Sequence, residues 1–203
     1  MLKILISAFT GYLFGSFQTS YLLGKVMKKG DIRDYGNGNA GASNTVMAFG
    51  WKYGIAVGFI DMLKAVLSIL LIKYLFVTGD TGYFTFLIYL NCLCIILGHN
   101  FPFYMNFKGG KGTASLIGAL LVLDIKIAIV GIIAIILVTL ITRYIAIGTM
   151  ALVLSFAVST ALLNYSISCI IIAALIALMS LIKHLPNIKR IIKGTETKLE
   201  ESL

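Results

Sequence analysis

Histidine, cysteine and acidic residues are all scarce in this chain. Its 203 residues include 2 histidines and 3 cysteines, and 17 basic residues stand against 8 acidic ones. Two histidines cannot build a multi-histidine metal centre, so we expect no bound metal and no cofactor. The cysteines lie inside apolar runs, without the spacing of a disulfide framework or a zinc site. A clear internal repeat is also missing, which argues against a transporter built from repeated halves.

The abundant residues are apolar. Hydrophobic residues make up 59% of the sequence and the mean hydropathy is +0.98, which excludes an ordinary soluble domain. Backbone groups in lipid must be satisfied internally, so the apolar runs predict membrane-spanning α-helices. The formal charge of +9 lies between these runs. Membrane lipids or phosphorylated small molecules are therefore the expected partners, rather than nucleic acid.

Charged and polar residues divide the apolar sequence into seven predicted spans. They cover residues 4–23, 54–77, 83–98, 113–123, 127–142, 145–163 and 167–182. The span at 113–123 is short for a hydrocarbon core of about 30 Å. Merging residues 113–142 and dropping one further break gives five spans instead. We expect an all-α integral membrane protein, a polytopic helical bundle with one membrane-embedded domain over residues 1–203. Seven spans are favoured and five are the alternative.

The distribution of basic residues predicts the orientation of the chain. With seven spans, Lys3 and Lys126 fall on one side and most other basic residues on the opposite side. The positive-inside rule then places the N-terminus outside and the C-terminus in the cytoplasm. The loops at 24–53 and 99–112 and the tail at 183–203 all face the cytoplasm.

The second of these loops has the composition of an anion site. Two lysines alternate with three glycines, and an apolar helix is predicted to start near Thr113; the loop residues are Lys108, Gly109, Gly110, Lys111 and Gly112. Glycine permits positive φ and close approach of backbone N–H groups, and a helix N-terminus attracts negative charge. Phosphate is the expected ligand. The alternative is a basic connecting loop that only obeys the positive-inside rule.

The first loop is rich in glycine and asparagine. Residues 36–44 read Gly-Asn-Gly-Asn-Ala-Gly-Ala-Ser-Asn, with Arg33 just before them. This pattern predicts consecutive turns whose N–H groups form anion-binding nests. A plain connecting loop is the alternative.

Two further pairs of polar residues stand out. Asp61 and Lys64 are three residues apart on a predicted span, so they share a face and can form an ion pair; a structural pair is favoured over a catalytic one. His184 and Asn187, after the last span, can supply a proton carrier and an amide donor. A basic tail that only anchors the chain to the membrane is the alternative there.

Together, these loops resemble the bacterial PlsY-type acyl-phosphate:glycerol-3-phosphate acyltransferases, over nearly the whole chain. The resemblance rests on the order and spacing of several segments. They are residues 15–25, 31–44, 61–64, 98–114, 143–144, 184–190 and 194–196. One such segment would be a weak signal, but their common order is specific.

The resemblance implies a reaction. The family moves a fatty acyl group from acyl phosphate to the 1-hydroxyl of sn-glycerol 3-phosphate, the first step of bacterial phospholipid synthesis, with acyl phosphate supplied by a separate enzyme. Acyl phosphate is already activated, so no covalent enzyme nucleophile is needed. The sequence agrees: Tyr104 stands where an HxxxxD box starting at His99 needs aspartate, and no G-x-S-x-G elbow occurs.

The resemblance also implies roles for individual residues. Those implied to be catalytic are Asn37, His184 and Asn187. Those implied to bind substrate are Arg33, Asn39, Ser43, Asn44, His99, Lys108, Gly109, Gly110, Lys111, Gly112, Arg143 and Lys189.

Two positions that matter for activity depart from the family pattern, and so do Gln18, at a usual proline position, and Ala146, at a usual serine position. Asn37 occupies a usual serine position and Met47 a usual arginine position. Because a methionine cannot hold a phosphate, we expect Arg33 or Lys52 to compensate. The alternative is a diverged non-catalytic or transport protein that binds phosphorylated lipids or other anions.

Overall fold

The computed structural model describes residues 1–76 and 79–199, and within them the chain is helical without a β-strand. This confirms the all-α prediction. The α-helices are α1 (Leu2–Ser16), α2 (Thr19–Val26), α3 (Ala42–Phe49), α4 (Trp51–Leu75), α5 (Thr81–Asn100), α6 (Thr113–Leu123), α7 (Ile125–Thr142), α8 (Ile145–Leu162) and α9 (Ile167–Ile192). The end of the predicted second span at 77 and the last residues of the predicted tail, 200–203, lie outside the described residues.

The chain divides into two compact units. The first, Met1–Leu123, contains α1 to α6 with both glycine-rich loops. The second begins at Asp124 and contains α7 to α9.

Five helical segments of the described chain are long and apolar enough to cross a membrane. They are Trp51–Leu75, Thr81–Met105, Ile125–Thr142, Ile145–Leu162 and Ile167–Ile192. The other two predicted spans correspond to shorter helices, since α1 has 15 residues and α6 has 11.

The first predicted span is interrupted. Residues 4–23 are expected to form one span, but Phe17 and Gln18 take extended backbone conformations between α1 and α2. The buried Gln18 side chain donates through Nε2 to the carbonyl of His99 at 2.8 Å, and its backbone N–H donates to the Tyr104 hydroxyl at 3.1 Å. The Tyr104 hydroxyl thus accepts the hydrogen bond that the Gln18 N–H would make within a continuous helix. The side-chain bond to His99 holds the break in place. The expectation of one continuous span is wrong.

Small residues let α1 and α5 pack closely. A Cβ atom added to Gly11 would lie 2.5 Å from the carbonyl oxygen of Asn91, and one added to Gly15 would overlap the carbonyl oxygen of Ile95. Gly11 and Gly15 form a G-x-x-x-G pair, which suits close helix packing in membranes. One turn earlier, the Ser7 hydroxyl donates to the carbonyl of Leu87 at 2.7 Å.

In the second unit, the last helix is longer than expected. The predicted span ends at 182 and a tail begins at 183, but α9 continues to Ile192 and includes Pro186. At 26 residues it is about 39 Å long, so the first basic residues of the predicted tail are helical. The first residues of the predicted tail therefore belong to α9, and the cytoplasmic position of the tail stays a prediction. At the other end of this unit, Asp124 caps α7 and accepts a hydrogen bond from the Tyr165 hydroxyl.

We expect Gly15→Ala to destabilise the protein, because its Cβ would overlap a backbone oxygen that cannot move without shifting α5. Overpacking of this kind costs about 1–3 kcal/mol. Gly58→Ala is the matched control, since its Cβ would meet only the Cβ of Ala42 at 3.5 Å, and alanine favours a helix by about 1 kcal/mol. Thermal unfolding in detergent should show a lower midpoint for Gly15→Ala alone. Equal midpoints for both variants would contradict the packing argument.

Candidate anion-binding site

The first loop is held together by Asn44, which lies buried in the first turn of α3. Its Nδ2 donates to the carbonyls of Ile32 (3.0 Å), Tyr35 (3.0 Å) and Asn39 (2.9 Å), and its Oδ1 accepts from the N–H of Asn37 at 2.7 Å. The amide is therefore used by the loop itself. Asn44 therefore shapes the first loop, and its expected contact with substrate stays a prediction.

Turns with positive φ complete this loop. Gly36 has φ of +54° and Gly38 of +67°, as expected for consecutive turns. A Cβ on Gly36 would also overlap Oδ1 of Asn44. The segment is thus a built turn structure rather than a plain connection.

Arg33 joins the first loop to the second. Its Nη1 donates to the carbonyls of Met105 (2.8 Å) and Lys108 (3.0 Å), while Nε and Nη2 bind the Asp31 carboxylate, with Nη2 at 2.6 Å from Oδ2. Only one of the guanidinium N–H groups remains beyond these bonds. The expectation that Arg33 holds a substrate phosphate, or compensates for Met47, is therefore not supported. The residue acts as a clamp between loops.

The Asp31–Arg33 pair stays ionised at ordinary pH. The hydrogen bond from Arg33 is the main cause that lowers the pKa of the Asp31 carboxyl below its ordinary value of 3.8. A group with a lowered folded-state pKa stabilises the fold above its unfolded pKa and loses that contribution only as the pH falls through the folded value. The clamp is therefore complete throughout the neutral range.

Two glycines of the second loop serve packing rather than ligand approach. The N–H of Gly109 donates to the carbonyl of Asn100 at 3.1 Å, and that of Gly110 donates to the carbonyl of His99 at 3.0 Å. A Cβ on Gly110 would overlap Nε2 of His99 and lie 2.6 Å from the carbonyl oxygen of Ala40 in the first loop. The prediction that their N–H groups hold phosphate is therefore not supported, because both are used within the chain.

The end of the second loop matches the sequence prediction. Gly112 has φ of +84° and α6 begins at Thr113. With its side-chain amide turned so that the nitrogen faces the loop, Asn100 donates to the carbonyls of Gly110 and Lys111, both at 3.2 Å. These bonds fix the backbone around Lys111 directly before the helix N-terminus. A lysine and a positive helix end are thus presented together.

The remaining candidates of the first unit lie nearer the surface. Ser43 and Lys108 are exposed, and Asn37 and Asn39 are partly exposed. The Nδ2 of Asn37 lies 3.7 Å from the sulfur of Met47. Two of the positions that depart from the family pattern are therefore in contact. His99, in contrast, is buried and belongs to the interior of this unit.

In the second unit, Glu196 binds the candidate residue Asn187 and its neighbour Arg190. Asn187 Nδ2 donates to Oε1 of Glu196 at 2.7 Å, and Arg190 Nε donates to Oε2 at 2.6 Å. His184 is buried one turn earlier, with Nδ1 2.8 Å from the carbonyl of Ser180. The sequence analysis did not assign a role to Glu196. Asn187 and Arg190 are three residues apart on one helix face, and this spacing indicates that they can share a partner.

Arg143 and Lys189 have separate positions in this unit. Arg143 follows α7 with φ of +67°, and its carbonyl accepts a hydrogen bond from the N–H of Leu199 at 2.9 Å. Lys189 is exposed on α9. The structure does not test the expected substrate contacts of either residue.

The first unit therefore has the features of a membrane protein that recognises an anion. Two glycine-rich loops from distant parts of the chain are bonded to each other through Arg33, and they present lysines and a helix N-terminus.

Comparison with known proteins identifies the family. The glycerol-3-phosphate acyltransferase family profile matches residues 5–194. Glycerol-3-phosphate acyltransferase 1 of Oceanobacillus iheyensis is 43% identical over 197 residues, covering 96% of this chain and 94% of the relative. The enzyme of Halalkalibacterium halodurans is 37% identical, covering 93% and 91%. This chain belongs to the glycerol-3-phosphate acyltransferase family.

Solved structures agree with this assignment. The chain resembles PlsY (YgiH), an integral membrane glycerol 3-phosphate acyltransferase, in its glycerol 3-phosphate form with a TM-score of 0.85 and 29% identity, covering 96% of this chain and 94% of the other. The lysophosphatidic acid form gives a TM-score of 0.82 and 28% identity, with coverage of 98% and 97%.

We expect Asn44→Asp to open the first loop, because a carboxylate oxygen would replace the Nδ2 that faces three carbonyls. Leaving such buried groups unsatisfied costs about 1–3 kcal/mol. Trypsin should then cleave faster after Lys28, Lys29 and Arg33. Asn106→Asp, at an exposed position of the second loop, is the control. Equal cleavage rates in the two variants would rule out the anchoring role of Asn44.

Proposed function

We propose that this chain is a membrane enzyme that transfers a fatty acyl group from acyl phosphate to the 1-hydroxyl of sn-glycerol 3-phosphate. The products are 1-acyl-glycerol 3-phosphate and phosphate. Membership of the glycerol-3-phosphate acyltransferase family supports the proposal. The observation that carries it is the joining of the two glycine-rich loops by Arg33, directly beside the lysines of the second loop.

The second loop is the proposed site for the phosphate of glycerol 3-phosphate. Lys111 carries the charge, and the α6 N-terminus that follows Gly112 adds a positive dipole end. Lys108 supplies a second cation at the exposed edge of the loop. The ammonium group of a lysine suits this loop better than the guanidinium group of an arginine. It is compact, whereas a planar fork needs more room than closely packed glycines leave.

The first loop is the proposed site for the acyl phosphate. Asn37, Asn39 and Ser43 offer amide and hydroxyl groups near the surface of that loop. Their hydrogen bonds would stabilise the oxyanion that develops when the substrate hydroxyl attacks the acyl carbon. A carbon–oxygen bond forms to the glycerol, and the bond to the phosphate leaving group breaks.

The hydroxyl proton needs an acceptor. His184 is the proposed carrier in the chain, with Asn187 as an amide donor held by Glu196, and the departing phosphate is the alternative acceptor. Arg143 and Lys189 are proposed to add positive charge for the phosphorylated substrates. The acyl phosphate itself is expected from a separate phosphate acyltransferase.

The proposed topology has seven spans in a bacterial cell membrane, with α1 and α6 as short spans. The N-terminus would lie outside and the C-terminus in the cytoplasm, as the basic residues favour. The loops at 24–53 and 99–112 and the tail at 183–203 would then all face the cytoplasm.

We expect purified protein to form lysophosphatidate from palmitoyl phosphate and glycerol 3-phosphate, and Lys111→Ala to raise the KM for glycerol 3-phosphate. A hydrogen bond to a charged group is worth about 1.5–3 kcal/mol, which corresponds to roughly 10- to 150-fold in KM. Lys126→Ala, at the start of α7, is the control. No product above background would exclude the enzyme and leave the anion-binding alternative. An unchanged KM and kcat in Lys111→Ala would mean that this lysine contributes only to the orientation of the chain in the membrane.

Because most N–H groups of Arg33 bind Asp31 and the second loop, Arg33 cannot fully replace the missing arginine, and we expect Asn37→Ser together with Met47→Arg to raise the rate of acyl transfer. Arginine would restore a forked donor for phosphate, and serine would remove the amide that now contacts the Met47 sulfur. Since the two side chains touch, the double variant should gain more than the sum of the single gains. Met47→Lys, with the same charge but no fork, should gain less. An unchanged or lower rate of acyl transfer, at equal protein level in the membrane, would indicate that another basic residue already replaces the missing arginine.

A further inference from the structure

A buried ion pair lies next to the second loop, and the proposed reaction does not use it. Lys64 Nζ is 2.8 Å from Oδ1 of Asp61 on the same face of α4, and their side chains are 5% and 2% exposed. The sequence-based prediction of this pair is confirmed. The Thr19 hydroxyl also donates to Asp61 at 2.8 Å. Both contacts reach the same oxygen, Oδ1, so this atom of the buried carboxylate has two partners.

Lys64 has three acceptors, one for each of its N–H groups. They are the Asp61 carboxylate, the carbonyl oxygen of Phe17, and Nδ1 of His99 at 3.0 Å. An ammonium group can only donate, so Nδ1 of His99 must accept. The Ser115 hydroxyl also lies 3.3 Å from the same nitrogen.

This arrangement selects one form of the His99 ring. A neutral imidazole with an acceptor at Nδ1 carries its proton on Nε2. Nε2 faces Gly110, where a Cβ atom would overlap it. The backbone of the same histidine accepts from the N–H of Gly110 at 3.0 Å and from Nε2 of Gln18 at 2.8 Å. His99 therefore supports the second loop through both its ring and its backbone.

The support continues into the first loop. The position that a Gly110 Cβ would occupy is also 2.6 Å from the carbonyl oxygen of Ala40. Gly110 is thus enclosed between the His99 ring and the first loop. A rotated or reprotonated His99 ring would displace Gly110 and the adjacent Lys111.

We propose that Lys64 is a positioning residue for glycerol phosphate binding. It fixes the tautomer and the orientation of His99, and through that ring the place of Gly110 and Lys111, while the bond to Asp61 holds Lys64 in place. The inference rests on the proposed function, because it assigns the positioned loop to glycerol 3-phosphate. His99 itself acts from the interior rather than by touching the substrate.

The kinetic test uses Asp61→Asn with Lys64→Met, because the double variant leaves no unpaired buried charge. We expect kcat/KM for glycerol 3-phosphate to fall about 10- to 100-fold, the scale of a small misplacement of a binding group. The fall should lie mainly in KM for glycerol 3-phosphate, with KM for palmitoyl phosphate unchanged. Lys73→Met is the matched control, since Lys73 lies on the same helix and donates to the carbonyl of Val122 at its far end.

The second test does not depend on activity. The chain has 2 histidines, so nitrogen NMR of histidine-labelled protein gives two imidazole patterns, and the spectrum of His184→Gln identifies that of His99. Wild-type His99 should show a bare Nδ1 and a protonated Nε2. The double variant should show loss of this single tautomer. A proton on Nδ1 in the wild type would overturn the inference, whether or not the variant folds.

The two tests separate this inference from the proposed function. Wild-type protein without acyltransferase activity would remove the function, while the tautomer would still report on the Lys64–His99 bond. Active wild-type protein with unchanged KM in the folded double variant would overturn the positioning role alone.

Discussion

The bonds from Arg33 to the second loop are the constraint on which the candidate site depends. They join backbone groups to a side chain 72 and 75 residues earlier in the chain. Ordering a residue costs about 1–2 kcal/mol of backbone entropy, and glycine-rich segments have the most freedom to lose. A site made from two such loops therefore needs internal bonds with fixed geometry. The forked guanidinium supplies them between the loops, and the Asn44 amide supplies them within the first loop.

Much of this architecture could be predicted from the sequence, because local chemistry determines it. The start of α6 at Thr113, the positive φ of Gly112 and the Asp61–Lys64 pair all depend on residues within a few positions of each other. The helical class follows from composition alone. In each case the local preference and the final fold agree.

The remaining features depend on partners that the sequence does not indicate. The sequence around Arg33 would look the same if its partner were a phosphate. The actual partners are the Asp31 carboxylate and two carbonyls of the second loop. The break at Phe17 and Gln18 is satisfied by groups 81 and 86 residues away. Likewise, the glycines of the second loop suggested ligand approach, whereas Gly110 is small because His99 and Ala40 leave no room. These features are determined by tertiary contacts, which local sequence patterns do not indicate.

Charge is divided unevenly between residues 36–47 of the first loop and the second loop. Arg33 and Lys64 are each paired with an aspartate inside the first unit, so their charge is largely neutralised before any substrate arrives. Residues 36–47 carry no charged side chain at all, and they offer amides, a hydroxyl and backbone N–H groups instead. The second loop, in contrast, carries Lys108 and Lys111 before a helix N-terminus. Residues 36–47 themselves therefore offer an anion only hydrogen bonds, whereas the second loop also offers charged side chains. Because Met47 adds no charge to residues 36–47, the proposed discrimination between two phosphorylated substrates would follow from this difference.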